Sequence, residues 1–296
     1  MSNNLVFRII KTCNQNCEYC FLRDLQNEER NLTLEEISQE ILRNDPVNKI
    51  YITGGEPTSS SYFYDVVNLL VSFGLSGKTT VQTNGTSSYF KSRPDVYLFT
   101  KLNYFISVPS LHPECFYKCT RNKDSQALSK LEDNLFFLST NGAKVIVNIV
   151  IDYNENFKQL DFTLDKLLKL PIFYFNFSSV ILPNSSKLKI VNWSEINFKK
   201  IYNKITSAGK FAKFDNFPPC ILPREALVNT MSPVLSFEKK PGLTETKVYN
   251  CGGERIKIPA VCSSCSHSHC LGFPIKYFLD YGETDILNVV ERASNE

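Results

Sequence analysis

The chain lacks any apolar run approaching the roughly 18 uninterrupted residues that a membrane-spanning helix needs. Its opening, MSNNLVFRIIKTC, has neither the apolar h-region nor the small-residue cleavage site of a signal peptide. Both absences predict a cytoplasmic protein with no membrane partner. Strong charge is missing as well: the formal net charge is +3 and the sequence pI about 8.2, too mild for a nucleic-acid footprint. Histidine is scarce, with three in 296 residues and none before His112. There is no long low-complexity linker and no internal repeat beyond an alternation of strands and helices. What remains is ordinary globular composition, 43% hydrophobic and 21% charged. It suffices for one large domain, or a large one with a small one.

Cysteine, by contrast, is plentiful. There are ten, and a cytoplasmic compartment keeps thiols reduced, so disulfides do not account for them. Three stand at 13, 17 and 20, two at 115 and 119, and five at 220, 251, 262, 265 and 270. Clustering at the two ends predicts two metal sites.

Hydrophobic patterning predicts strands at 5–10, 49–53, 79–83, 104–108, 144–151 and 173–182, with helices between them. Thr33 and Glu36 have capping-box spacing ahead of Leu34, Ile37 and Ile41 at helical period. A further helix is expected across WSEINFKKIYNKITSAGK. Six such strands imply a parallel α/β architecture, open sheet or barrel, with strands apolar enough to be buried on both faces. Functional groups in such folds gather at the carboxyl ends of the strands. There the sequence places TCNQNCEYC after strand one, TGGEP (53–57) after strand two and TNGT (83–86) after strand three. Composition shifts near Pro183, which divides the chain into units 1–183 and 184–296.

Cys13, Cys17 and Cys20 have C-x3-C-x2-C spacing. Thiolates ligate zinc or iron–sulfur clusters, and structural zinc closes its shell with four ligands. Nearby fourth ligands are poor, since Glu18 and Asp24 are hard oxygen donors. A [4Fe–4S] cluster with three thiolates and one open iron is the simpler reading. With Tyr19 between the second and third cysteines, the motif resembles that of the radical S-adenosylmethionine superfamily. The resemblance covers roughly residues 5–183. It implies a partial (β/α)6 TIM-type barrel and an open iron that chelates S-adenosylmethionine. Reductive cleavage to a 5′-deoxyadenosyl radical would then precede hydrogen abstraction from substrate, with an external one-electron donor of the flavodoxin or ferredoxin type. Gly54 and Gly55 admit close approach to the main chain, and Glu56 offers an acceptor suited to an ammonium group. The resemblance assigns those three to the methionyl amino group of the cosubstrate. It further implies an adenine contact from Tyr19 and polar contacts from Thr83, Asn84, Ser107 and Asn148.

Near the C-terminus, Cys262-x2-Cys265-x4-Cys270, with Cys220 earlier in the chain, resembles the auxiliary-cluster domains called SPASM and twitch. That implies a second [4Fe–4S] cluster on Cys220, Cys262, Cys265 and Cys270. Cys251 is the spare or the replacement for Cys220, and a zinc site that His267 and His269 join is the alternative. Cys115 and Cys119 share one helix face and read as small buried hydrophobes, with a catalytic hydrogen donor as the lesser alternative. His112 reads as an exposed loop imidazole. The enzyme expected is a radical S-adenosylmethionine oxidoreductase or maturase acting on a peptide. The alternatives are a small-molecule dehydrogenase and a non-catalytic iron–sulfur or zinc sensor.

Overall fold

The structure, a computed structural model, describes residues 3–20, 32–91, 96–182, 186–226, 234–240, 243–249, 254–263, 265–267 and 270–295. Asp24, Pro183, Cys251 and His269 lie outside these.

Strands and helices alternate from the start: β1 (Asn3–Ile10), α1 (Leu34–Arg43), β2 (Val47–Gly54), α2 (Phe63–Ser72), β3 (Thr79–Thr83) and β4 (Asn103–Ser107). After β4 come α3 (Pro113–Thr120), α4 (Ala127–Thr140), β5 (Lys144–Val150), a short α5 (Asn154–Phe157), α6 (Leu160–Leu167) and β6 (Tyr174–Ser178). The expected capping box opens α1. The Thr33 hydroxyl accepts from the Glu36 amide at 3.2 Å, and the Glu36 carboxylate accepts from the Thr33 amide at 2.9 Å. The helix expected from Trp193 is interrupted. A 3-10 turn at Trp193–Glu195 precedes α7 (Phe198–Ser207), because Asn197 caps the later start by accepting from the Lys200 amide at 2.7 Å. An asparagine that bonds the backbone locally favours a helix start over a helix interior.

All six expected strands form, and a seventh, β7 (Ala212–Asp215), pairs parallel with β6. The sheet therefore continues beyond residue 183. AKFD is four residues long with a lysine and an aspartate, so its apolar signal is too brief to stand out. Strand order is β1-β2-β3-β4-β5-β6-β7 without reversal. Doubly wound sheets reverse at a switch point, whereas unreversed βα winding is the barrel pattern. Curvature is evident in a cross-sheet effect. The Tyr174 phenol on β6 is pushed up to about 12 by burial, with Asp215 and Tyr51 on β2 adding to the rise. Four strand spacings would separate β2 from β6 by about 19 Å in a flat sheet. A curled sheet accounts for those two tyrosines lying within each other's field.

The expectation of burial on both faces is overturned. Leu5, Phe7, Ile9, Ile50, Ile52, Val81, Tyr104, Ile106, Val145, Val147, Phe175, Phe177 and Phe214 are buried on the helix-covered outer face. Register places Arg8, Tyr51, Thr53, Gln82, Ser107, Asn148, Asn176, Ser178 and Lys213 on the opposite, concave face. Most of these are half-exposed. A curled, unclosed sheet leaves its inner face open to solvent, so polar side chains cost little there.

The C-terminal part holds the antiparallel hairpin β8 (Val234–Lys240) and β9 (Leu243–Tyr249), and a ribbon of β10 (Arg255–Ile256) with β11 (Phe273–Pro274). It also holds the single turn α8 (Pro259–Cys262) and α9 (Ile275–Asn295), which kinks at Gly282. Trp193 stacks on Tyr277 at 4.0 Å between ring centroids and donates its indole N–H to Asp152 at 3.1 Å. One continuous apolar core therefore runs from β1 to α9. Among the described residues no helix is long and apolar enough to cross a membrane.

Candidate active site at the carboxyl ends of the strands

The loop after β1 carries Cys13, Cys17 and Cys20, all half-buried. Two anchors hold it in place. The first is the end of β2. The Gly55 amide donates to the Ile10 carbonyl at 2.9 Å, and the Glu56 amide donates to the Thr12 carbonyl at 3.0 Å. A Cβ on Gly54 would stand 2.2 Å from the Ile10 oxygen. One on Gly55 would stand 2.2 Å from the Thr12 oxygen and 2.4 Å from that of Lys11. The glycine pair thus admits the backbone that leads into the cysteine loop. The second anchor is α3, whose carbonyls at Thr120 and Cys119 accept from the Asn16 and Glu18 amides at 2.9 and 3.4 Å.

Glu56 is wholly buried. Its Oε1 accepts from the Thr58 amide at 3.0 Å, the Thr58 hydroxyl at 2.5 Å and the Thr83 hydroxyl at 2.6 Å. Its Oε2 accepts from the Asn84 amide at 2.7 Å. Burial pushes its carboxyl above the ordinary value, against the lowering effect of these bonds. Asn84 extends the chain of contacts: its Nδ2 donates to Asn14 Oδ1 at 2.8 Å and lies 3.8 Å from Cys13 Sγ. Asn14 in turn donates to the Thr86 hydroxyl at 2.9 Å. TGGEP and TNGT are thereby fastened to the cysteine loop by one buried carboxylate and two asparagines.

Burial pushes the Cys13 thiol up to about 11, with Glu56 and Cys20 adding to the rise and the Gln15 amide and Asn84 opposing it. A thiolate there needs a cation beside it, which the iron of a cluster supplies. Three thiols on one loop, with donors aimed at Cys13, fit a cluster held by three cysteines.

The remaining predicted contacts divide. Ser107 is exposed at the end of β4, opposite Asn148 of β5 in register. Asn148 Oδ1 accepts from Asn176 Nδ2 at 2.8 Å and from the Ser178 hydroxyl. Asn176 was not singled out by sequence reasoning. It is buried on the inner face with its Oδ1 lacking a partner among the described residues. The signal available was an asparagine inside the apolar run FYFNF. Tyr19 packs on Tyr153 at 5.0 Å between centroids, beside Cys115 and Cys119. Those two cysteines are buried on α3 with sulfurs 3.8 Å apart, as small buried hydrophobes sharing a helix face. Both pack against Tyr19, Tyr153, Val150 and Leu188. His112 is not a bare exposed imidazole, as its ring meets Phe162 edge-on at 5.4 Å.

At the other end of the molecule, Cys220, Cys262, Cys265, His267 and Cys270 line one small cavity of about 60 Å³ with Lys257 and Phe273. Burial pushes the Cys220 thiol up to about 12, with Cys270, Cys265 and Cys262 adding to the rise in that order. A thiol whose ionised form is opposed by burial and by three neighbouring sulfurs suits a shared cationic centre. Among the described residues no three His, Cys, Asp or Glu side chains stand close enough to hold a single metal ion.

The profile of the Radical SAM superfamily matches residues 7–167, which include the cysteine loop, TGGEP and TNGT. The chain belongs to the radical SAM superfamily. Among curated proteins it is 32% identical over 174 residues to GTP 3',8-cyclase of Haemophilus ducreyi, covering 55% of this chain and 49% of that protein. It is 29% identical over 161 residues to GTP 3',8-cyclase of Haemophilus influenzae, covering 52% and 46%. The chain spans about half the length of the curated relatives it matches. Among solved structures it is similar to SuiB of Streptococcus suis, with TM-score 0.57 and 16% identity over 72% of this chain and 49% of that one. It is also similar to anSMEcpe with bound AdoMet, with TM-score 0.54 and 16% identity over 71% and 62%. These structural likenesses establish the partial-barrel fold. A radical SAM fold carries with it a [4Fe–4S] cluster and S-adenosylmethionine.

Proposed function

We propose that this chain is a radical SAM enzyme acting on a small molecule, with a nucleotide as the first candidate class. The observation that carries this reading is its 29–32% identity to proteins named GTP 3',8-cyclase, over about half of the chain. The concave face supports it. Arg8 on β1 and Lys213 on β7 flank a row of Gln82, Ser107, Asn148, Asn176 and Ser178. Arg8 at the β1 edge suits phosphate, while Lys213 at the other edge is paired with Asp215 at 3.0 Å, and the neutral amides and hydroxyls between them suit a base and sugar. The peptide-maturase expectation rests on no residue of this face, and the likeness to SuiB speaks to fold alone.

Cys13, Cys17 and Cys20 would hold a [4Fe–4S] cluster, which, with an external one-electron donor, would provide the electron for cleavage of S-adenosylmethionine. The chain's own residues position the partners of that step. Gly54 and Gly55 let β2 close on the cysteine loop. Glu56 locks the β2 and β3 ends together. Thr83, acting through Glu56, and Asn84, acting through Asn14 and Cys13, fix the loop's height above the sheet. Ser107, Asn148 and Asn176 face the space where the cosubstrate's ribose and the substrate meet. Tyr19 holds the loop against α3 and offers its edge to the adenine. Cys220, Cys262, Cys265 and Cys270 would hold a second, auxiliary [4Fe–4S] cluster, which would serve as acceptor for the electron left on the substrate. The four-thiol cavity supports that assignment. The unit from 184 onward would then hold the auxiliary cluster in the part that follows β7, since α7 and β7 extend the main sheet's βα winding.

The test is anaerobic reconstitution followed by 5′-deoxyadenosine assay with nucleoside triphosphates, sugar nucleotides and short peptides. Acceleration by a nucleotide, with deuterium passing from labelled ribose into 5′-deoxyadenosine, is expected. Acceleration by a peptide alone would overturn the small-molecule reading. Reconstituted protein should hold about eight irons; four irons with zinc would overturn the auxiliary cluster.

A further inference from the structure

Arg255 begins the short strand β10, and its guanidinium reaches both segments that supply the C-terminal thiols. Nη1 donates to the Gly272 carbonyl at 2.9 Å, two residues beyond Cys270. Nη2 donates to the Asn216 carbonyl at 2.8 Å, four residues before Cys220. The Gly272 amide, on the other side of that residue, donates to Cys270 Sγ at 3.3 Å. Gly272 has φ of +89°, and a Cβ there would stand 2.2 Å from the Ile256 oxygen. The Cys270 segment is thus seated on β10, directly beside the arginine.

Both of these partners are neutral carbonyls, and Nε is buried without a partner among the described residues. Burial pulls the guanidinium down to about 10, while Cys270 and then Asp152 act in the opposite sense. A buried cation costs several kcal/mol unless an anion accompanies it. Asp152 is already bonded to Ser179, the Val180 amide and Trp193. Among the described residues, the other group acting on the guanidinium as an anion is Cys270, across the Gly272 turn.

We propose that Arg255 is the positioning counter-ion of the auxiliary cluster: it ties the Cys220 and Cys270 segments together and raises the cluster's reduction potential. The proposal rests on the auxiliary-cluster reading above. A fixed positive charge favours the state that carries one more electron, so it makes the cluster a better acceptor. Asp152 acts in the opposite direction through the same guanidinium.

The experiment is an electron paramagnetic resonance redox titration of full-length protein carrying Cys13→Ala, Cys17→Ala and Cys20→Ala, so that only the auxiliary cluster reports. Dithionite supplies the electron. Iron and sulfide analysis comes first, and about four of each per chain is required. Absence of iron there refutes the cluster itself and is read separately from the role of Arg255. With the cluster in place, Arg255→Gln should cut the reduced-to-oxidised ratio at least tenfold at the wild-type midpoint, about 59 mV for one electron. Arg255→Lys keeps the charge and should stay within threefold. Asp152→Asn should shift the ratio the opposite way, and it decides the matter if Arg255→Gln fails to fold. An unchanged ratio in a cluster-loaded Arg255→Gln protein, or in Asp152→Asn, overturns the proposal.

Discussion

Replacing Glu56 separates a structural brace from a cosubstrate ligand. Four donors converge on this carboxylate, two of them the backbone amides of Thr58 and Asn84. Glu56→Ala removes every acceptor at once. The two hydroxyls can rotate, but the two amides are left buried and unpaired at about 1–3 kcal/mol each. The expected loss is therefore on the order of 2–6 kcal/mol, against a typical total of about 5–15. Glu56→Gln keeps Oε1 for three donors and turns an NH2 toward the Asn84 amide. Losing that one charge-assisted bond should cost about 1.5–3 kcal/mol. The pH dependence has a definite sign. Because burial raises the folded-state value, the folded protein holds this proton longer than the unfolded chain. Its contribution to stability therefore falls as pH rises from the ordinary carboxylate value through the raised one. The Gln variant should lose that slope. Urea denaturation of cluster-free protein measures all three effects without involving cosubstrate affinity. A Glu56→Ala protein within about 0.5 kcal/mol of wild type, yet one to two decades weaker for S-adenosylmethionine, would refute the brace. The carboxylate would then face the ammonium group, as the family resemblance implies.

Gly55→Ala places a methyl against two backbone oxygens that cannot rotate away. Overpacking of about 1–3 kcal/mol, with the Gly55–Ile10 and Glu56–Thr12 bonds strained, should lower both melting temperature and bound iron; full iron loading at an unchanged melting temperature would count against the loop anchor. Burial raises Asp152 to about 6, so on the order of 3 kcal/mol of stability should be lost as pH climbs from about 4 to about 6. Asp152→Asn should flatten that profile in thermal melts. A well-folded Cys265→Ala protein should keep 5′-deoxyadenosine formation and lose product, and product at the wild-type rate would rule out electron transfer through the auxiliary cluster.

The sequence alone determined the cysteine loop, the six expected strands and the family. Each is a local signal: three thiols in eight residues, β-branched runs of five to eight, a glycine pair followed by an acid. Such patterns survive without knowledge of what packs against them. β7 and the interrupted helix before it were illegible, because a four-residue half-polar strand earns its place only by pairing with β6. Tertiary structure also decided what TGGEP does to the rest of the chain. Sequence reasoning assigned its glycines to a ligand; the fold adds that the atoms a Cβ would strike belong to Ile10, Lys11 and Thr12, some forty residues away. The same holds for Asn176, an apparent anomaly in an apolar run until the pairing of β5 with β6 sets it beside Asn148. Arg255 carried no motif at all. Its meaning comes from two carbonyls, at 216 and 272, that only the folded chain brings to one guanidinium. Close approach and burial are properties of chain segments distant in sequence, so the donors, clashes and charges that decide a site's energetics become readable only when those segments meet.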